Sequence, residues 1–137
     1  IPVPRRIGHG IKIQKLQLLS AVIEKHLGLG IGDKDIYVNV AGGLSSQDPG
    51  LDLAIVAAIV SSLASSSALS HSTRLAAKQA IQPSSHLIFC GEVGLLGEIR
   101  DVQGWPRREK EIKRLKLGKL IGKNDIRHIR DLQKFLQ

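Results

Sequence analysis

The chain has no methionine, and its 137 residues include one cysteine, one tryptophan, one tyrosine and two phenylalanines. The single thiol, Cys90, excludes an internal disulfide framework and any cysteine-based zinc site, and it fits a reducing compartment. With aromatics at 3%, most stacking platforms for single-stranded nucleic acid are missing, and the core must be built from Leu, Ile, Val and Ala. Long apolar runs are also absent. The longest, residues 53–60, is far short of the roughly 20 residues that cross a bilayer, so no membrane partner is expected. No signal peptide is visible. The missing methionine and the opening Ile-Pro-Val-Pro-Arg-Arg read as those of a segment cut from a longer protein, with residues 1–10 as a linker and residues 1–137 as one domain.

What the chain has in excess is positive charge: 20 Lys and Arg stand against 12 Asp and Glu, a net of +8. Residues 100–130 hold 11 of the basic side chains against four acidic ones, a net of +7. So local an excess points to a polyanionic partner. Overall, 42% hydrophobic and 23% charged residues are ordinary globular usage, and a folded domain follows.

Periodicity predicts an amphipathic helix over residues 12–27, with Ile13, Leu16, Leu19, Val22, Ile23 and Leu27 on one side and Gly28 as its stop. Alternation of Ile36, Val38 and Val40 predicts a half-buried strand, broken by Ala41-Gly42-Gly43. Asp48 and Pro49 suit the N-cap and first position of a second helix, residues 51–63, apolar on nearly every side. Residues 61–85 are crowded with serine and read as an excursion, 65–85 most clearly. A buried strand over residues 87–93, a tight Gly94–Gly97 connection and a return strand over 98–102 predict a hairpin. A basic helix follows at 107–117, with Ile112 and Leu115 as its apolar stripe and Gly118 as its stop. A last helix is expected over 125–136, where Ile126, Ile129, Leu132 and Phe135 recur every third residue. The class is α+β, with one sheet covered by helices.

Several tempting motifs reduce to plainer readings. Gly28, Gly30 and Gly32 follow a helix and precede a strand, the reverse of the order a phosphate-binding loop requires, and they read as a flexible turn. No phosphate-loop signature occurs, so this stretch is not expected to bind ATP. His9, His26, His71, His86 and His128 show no metal-ligand spacing, and no metal is assigned. Cys90 sits in an apolar strand beside Phe89, where a thiol is usually an inert hydrophobe. Ser45 and Ser46 have no recognisable base.

The run Asp35-Ile-Tyr-Val-Asn-Val-Ala-Gly-Gly43, then Asp52-Leu-Ala-Ile-Val, then Gly91-Glu-Val-Gly-Leu-Leu-Gly-Glu-Ile-Arg100 carries a resemblance. In this order the blocks resemble the C-terminal domain of the RadA (Sms) family of bacterial recombination and repair ATPases, itself similar to the proteolytic domain of Lon. The likeness extends from about Pro4 to Gly118. It implies a ribosomal-protein-S5 domain 2-like fold behind a zinc motif and a RecA-like ATPase core that this chain does not contain. ATP, Mg and Zn would belong to that upstream part, and none to this domain. The resemblance further implies a hexameric ring, double-stranded DNA, a RecA-type recombinase as partner, and a bacterial cytoplasmic setting, or an organellar matrix for a eukaryotic source.

Lon proteases cut with a Ser–Lys dyad, in which a desolvated lysine takes the hydroxyl proton. Matching the Lon nucleophile motif to Pro49-Gly-Leu-Asp52 places Gly50 at the serine, and matching from Gly91 places Pro106 at the lysine. Glycine has no side chain and the proline nitrogen carries no proton, so neither can act. The expected role is duplex-DNA binding and ring assembly. Phosphate contacts are assigned to Arg107, Arg108, Lys110, Lys113, Arg114, Lys116, Lys119 and Lys123, against the plainer reading of a solvated helix face. Two rival readings are a Lon-like peptidase with Ser45 or Ser46 as an unorthodox nucleophile, and a purely structural hexamerisation module. Against the family it resembles, the stretch 61–85 reads as longer, and 119–125 as shorter, than the corresponding segments.

Overall fold

A computed structural model of the chain describes residues 3–43, 46–64 and 86–136. The serine-rich stretch 65–85 and Ser45 lie outside the described residues. The first strand, β1 (Arg6–His9), pairs in parallel with β2 (Ile36–Asn39), so that Arg6 faces Ile36 and His9 faces Asn39. Part of the stretch expected to be a linker is therefore folded. It is also anchored: Arg5 donates its backbone N–H to Asp35 Oδ1 at 2.7 Å, and the Arg6 guanidinium bonds the carbonyls of Ile31 and Lys34.

Between β1 and β2 runs α1 (Ile13–Leu27), whose Leu16, Leu19 and Ile23 are fully buried. It ends where expected, because Gly28 takes the left-handed φ of 58° that lets its N–H cap the carbonyl of Glu24. After β2 comes a 3-10 turn at Ala41–Gly43. The second helix, α2 (Leu51–Ala64), buries Leu53, Ile55, Val56, Ala57 and Val60. Its entry is held by the Asp48 carboxylate, which accepts the Gly50 N–H at 2.9 Å.

The strand expected over 87–93 is split. β3 (Leu87–Phe89) pairs in parallel with β6 (Lys119–Ile121), whereas β4 (Glu92–Val93) pairs antiparallel with β5 (Ile99–Arg100) in the predicted hairpin. The break falls at Gly91, whose N–H bonds the Gly50 carbonyl and whose carbonyl accepts from Leu53, so its backbone serves α2 instead of a ladder. The α+β class stands. The single sheet does not, since the described strands form three separate two-stranded pairs.

The basic helix, α3, spans Trp105–Leu115. The final helix expected over 125–136 is reduced to a 3-10 turn at Ile129–Leu132 and one short turn, α4 (Gln133–Leu136). Before them, Asp125 folds back to accept the Gly122 N–H, and the His128 side chain accepts from Arg130 N–H and caps the 3-10 turn. Ile121, Ile126, Ile129 and Leu132 then close the core against α1 and α2. No helix among the described residues is long and apolar enough to cross a membrane.

Candidate nucleic-acid interface

Helix α3 starts at Gly104, which has φ 73°, and places Pro106 in its first turn, where a missing N–H costs nothing. It stops at Lys116, two residues earlier than the expected Gly118. Lys116 takes a left-handed φ of 52°, the only described non-glycine residue to do so, and its N–H reaches the carbonyls of Ile112 and Lys113. Leu117 N–H also bonds the Ile112 carbonyl at 3.1 Å, which completes a Schellman cap. No side chain of α3 is fully buried. Trp105, Arg108 and Ile112, one helical turn apart, are half-buried and face the body, while the half-buried Glu109 pairs with Lys113 along the helix. The Trp105 indole lies directly on Gly122, close enough that a Cβ there would sit 2.2 Å from the ring.

With those three turned inward, helical spacing sets Arg107, Lys110 and Arg114 at i, i+3 and i+7 on the opposite face, and all three are exposed. Lys113, Lys116, Lys119 and Lys123 are exposed as well. Lys113 pairs with Glu109 at 3.1 Å, Arg114 with Glu111, and Lys123 with Asp101 at 2.9 Å. The hydrogen bond from Arg114 holds the Glu111 carboxyl below its ordinary range. Exposed pairs like these are screened by solvent and contribute little to stability. Lys119 Nζ lies 6.0 Å from the centre of the Phe135 ring. Arg107, Lys110 and Lys116 enter no ion pair among the described residues.

Arg108 has a different partner from the one its sequence context suggests. It turns into the body and grips Asp48 with both terminal nitrogens, at 2.6 and 3.0 Å, while its Nε bonds the Gln103 carbonyl at 3.1 Å. That charge-assisted fork holds the Asp48 carboxyl below the usual aspartate range and pushes the guanidinium further up. Among the residues assigned to phosphate contact, Arg108 is thus the one whose guanidinium is bonded to the body of the domain.

The same fork covers the position matched to the Lon serine. Gly50 is buried, and a Cβ placed on it would lie 2.9 Å from Cys90 Sγ, 3.1 Å from Arg108 Nη1 and 3.2 Å from Asp48 Oδ1. The space a nucleophile would need is occupied. Cys90 itself is 8% exposed, and burial pushes its thiol pKa up. Ser46 Oγ accepts the Asp48 N–H at 3.2 Å in a local turn. It shares an open cavity of about 200 Å³ with Lys12 and Lys15. Neither lysine bonds it, and the Lys15 ammonium is engaged 3.3 Å from Asp52.

No family model matches the chain. Among curated proteins, it is 37% identical over 118 residues to the DNA repair protein RadA of Bacillus subtilis, and the aligned part covers 86% of this chain and 22% of that protein. With the RadA of Aquifex aeolicus the identity is 39% over 118 residues, or 86% of this chain and 23% of the relative. With that of Escherichia coli it is 37% over 108 residues, or 79% and 20%. It is a RadA-family domain. The chain spans less than a quarter of the length of these RadA proteins.

One group in the RadA domain has no role assigned from the sequence beyond its place in the blocks that carry the resemblance. Asp52 is 2% exposed, and its Oδ2 accepts from Val93 N–H at 3.2 Å and faces Lys15 Nζ at 3.3 Å. Burial outweighs both partners and pushes its pKa up. The carboxylate ties α2 to β4 and α1, a structural task. A charge inside an otherwise apolar helix was the available signal, since such a group is seldom buried without a partner. Among the described residues, no three His, Cys, Asp or Glu side chains gather where they could hold a metal.

Proposed function

We propose that this RadA-family domain is the non-proteolytic, duplex-DNA-binding and ring-assembling part of a DNA repair ATPase that acts in recombination by branch migration. The observation that carries the reading is the exposed stripe Arg107, Lys110 and Arg114 on a helix whose opposite face is spent on the body. Lys113 adds to it in the last turn, and Lys116, Lys119 and Lys123 extend the positive surface beyond the helix end. We assign the lysines and arginines of this stripe to phosphate contacts, which carry no sequence information, so the binding proposed is independent of sequence. The occupied space over Gly50 and the proline at 106 speak against a Lon-like peptidase. ATP, Mg and Zn, the hexameric ring and a RecA-type recombinase partner belong to the same proposal for the whole protein.

The test compares two double charge reversals of equal net effect, Arg107→Glu with Lys110→Glu on α3, and Lys12→Glu with Lys25→Glu on α1. Lys15 is left intact because it serves Asp52. The α3 pair weakens binding to all duplexes alike, and the α1 pair does little. Equal losses would mean that net charge alone attracts DNA. No binding by the wild-type chain at low salt would leave the structural-module reading in its place.

A further inference from the structure

Resting on the DNA-binding reading, we infer that Asp48 and Arg108 are positioning residues: their ion pair holds α3 in the orientation that presents Arg107, Lys110 and Arg114 to a phosphate backbone, and neither residue touches the nucleic acid.

Helix α3 has the weakest hold on the domain of any long element. It buries no side chain, and Leu115 at its last turn is 46% exposed. Its chain neighbours offer little. Gly104 before it and Gly118 after it both take positive φ, and Leu117 between helix and strand is 48% exposed. What remains is Trp105 on Gly122 at the start, the half-buried Ile112 in the middle, and Arg108 between them. Only Arg108 adds a directional bond. A planar guanidinium bonded by two nitrogens to two carboxylate oxygens fixes rotation about the helix axis, which an apolar contact does not.

The other end of the fork is equally constrained. Asp48 Oδ1 accepts from Arg108 Nη2 and also from Gly50 N–H at 2.9 Å, so the carboxylate belongs to the entry of α2. Gly50 in turn bonds Gly91 through its carbonyl. The orientation of α3 is thus referred to the buried α2 helix and the 90–91 strand break. Because Gly50 has no side chain, the guanidinium can come within reach of both Asp48 and Cys90 Sγ, the latter at 3.7 Å from Nη1. The place matched to a catalytic serine is here the floor of a clamp.

Charge bookkeeping and positioning predict opposite signs, which makes the inference testable. Asp48→Ala removes an acid and releases an arginine, so the chain becomes more positive. If only charge mattered, duplex DNA would bind more tightly. With the clamp lost, only a fraction of molecules hold α3 correctly, and affinity falls by that fraction, at least about threefold, with an unchanged salt slope. Arg108→Met gives the same loss and the same slope, whereas a direct phosphate contact would lower the slope by about 0.9. Hydrogen exchange read on the same variants shows faster exchange across 105–116 while the amides of α1 and α2 stay protected, which separates loosening of α3 from loss of the fold.

The measurements use the 137-residue chain and a 20-base-pair duplex of mixed sequence. Tighter binding by Asp48→Ala, a reduced slope in Arg108→Met, or unaltered exchange across 105–116 in both variants each overturns the inference while the DNA-binding reading stands. A wild-type chain that binds no duplex at low salt overturns both.

Discussion

Substituting Gly50 with alanine tests whether the position matched to a nucleophile is closed. The added Cβ would sit 2.9 Å from Cys90 Sγ, closer than side-chain carbons ordinarily come, and 3.1 and 3.2 Å from the Arg108 and Asp48 atoms of the fork. Arg108 is the more flexible neighbour, but moving it breaks the bond to Asp48. Cys90 is 8% exposed and backed by the core, so it has little room. Overpacking of this kind costs about 1–3 kcal/mol. With a urea m-value near 2 kcal/mol/M, the midpoint drops by roughly 0.5–1.5 M. Removing the sulfur should relieve much of the strain. Cys90→Ala is mildly destabilising by itself, yet the double variant with Gly50→Ala is more stable than the sum of the single changes requires, by about 1 kcal/mol. Urea unfolding followed by far-ultraviolet circular dichroism gives all four corners of the cycle. Strict additivity, or a Gly50→Ala variant as stable as wild type, would refute the claim that the thiol and the fork fill this space.

Other consequences follow from single residues. Lys116→Gly should stabilise the domain by up to about 1 kcal/mol in the same urea assay, because glycine takes the left-handed cap at 116 without the steric cost a lysine bears. Asp52 has a raised pKa in the fold, so the folded state binds the proton more tightly than the unfolded chain. Its contribution therefore favours folding at acid pH and turns unfavourable as pH climbs from the ordinary aspartate value of 3.8 through the raised one. Relative to wild type, Asp52→Asn should thus gain stability between pH 4 and pH 7; a relative loss over that interval would show the Lys15 pair outweighing burial. Casein and fluorogenic peptides should stay intact with the wild-type chain and with Gly50→Ser, and cleavage abolished by Ser46→Ala would contradict this.

Much of the fold was legible where the determining contacts are local. Helix α1 has its apolar face and its Gly28 stop in one window, and α2 has Asp48 and Pro49 before a run of apolar residues. The turn 94–97 announces its hairpin. Strand β1 was not legible, because Arg-Ile-Gly-His has no apolar alternation and exists through parallel pairing with β2 some thirty residues away. The same holds for β6 with β3. Isoleucine and leucine at intervals of three from 126 to 132 suggested an α-helix, yet three is the period of the 3-10 turn found there. At the candidate interface, the exposed cations could be read from composition and helical spacing. The inward turn of Arg108 could not, since its partner lies 60 residues earlier in the chain.

The central claim is that a located cationic surface on a RadA-family domain grips duplex phosphates, and a salt titration of binding tests it most directly. With roughly five or six phosphates neutralised, log K for the 137-residue chain on a short duplex should fall against log salt with a slope of about −5, identically for two unrelated sequences. Affinity should then collapse between low and moderate salt. A slope shallower than about −2, or a marked preference for one of the two duplexes, would contradict the account.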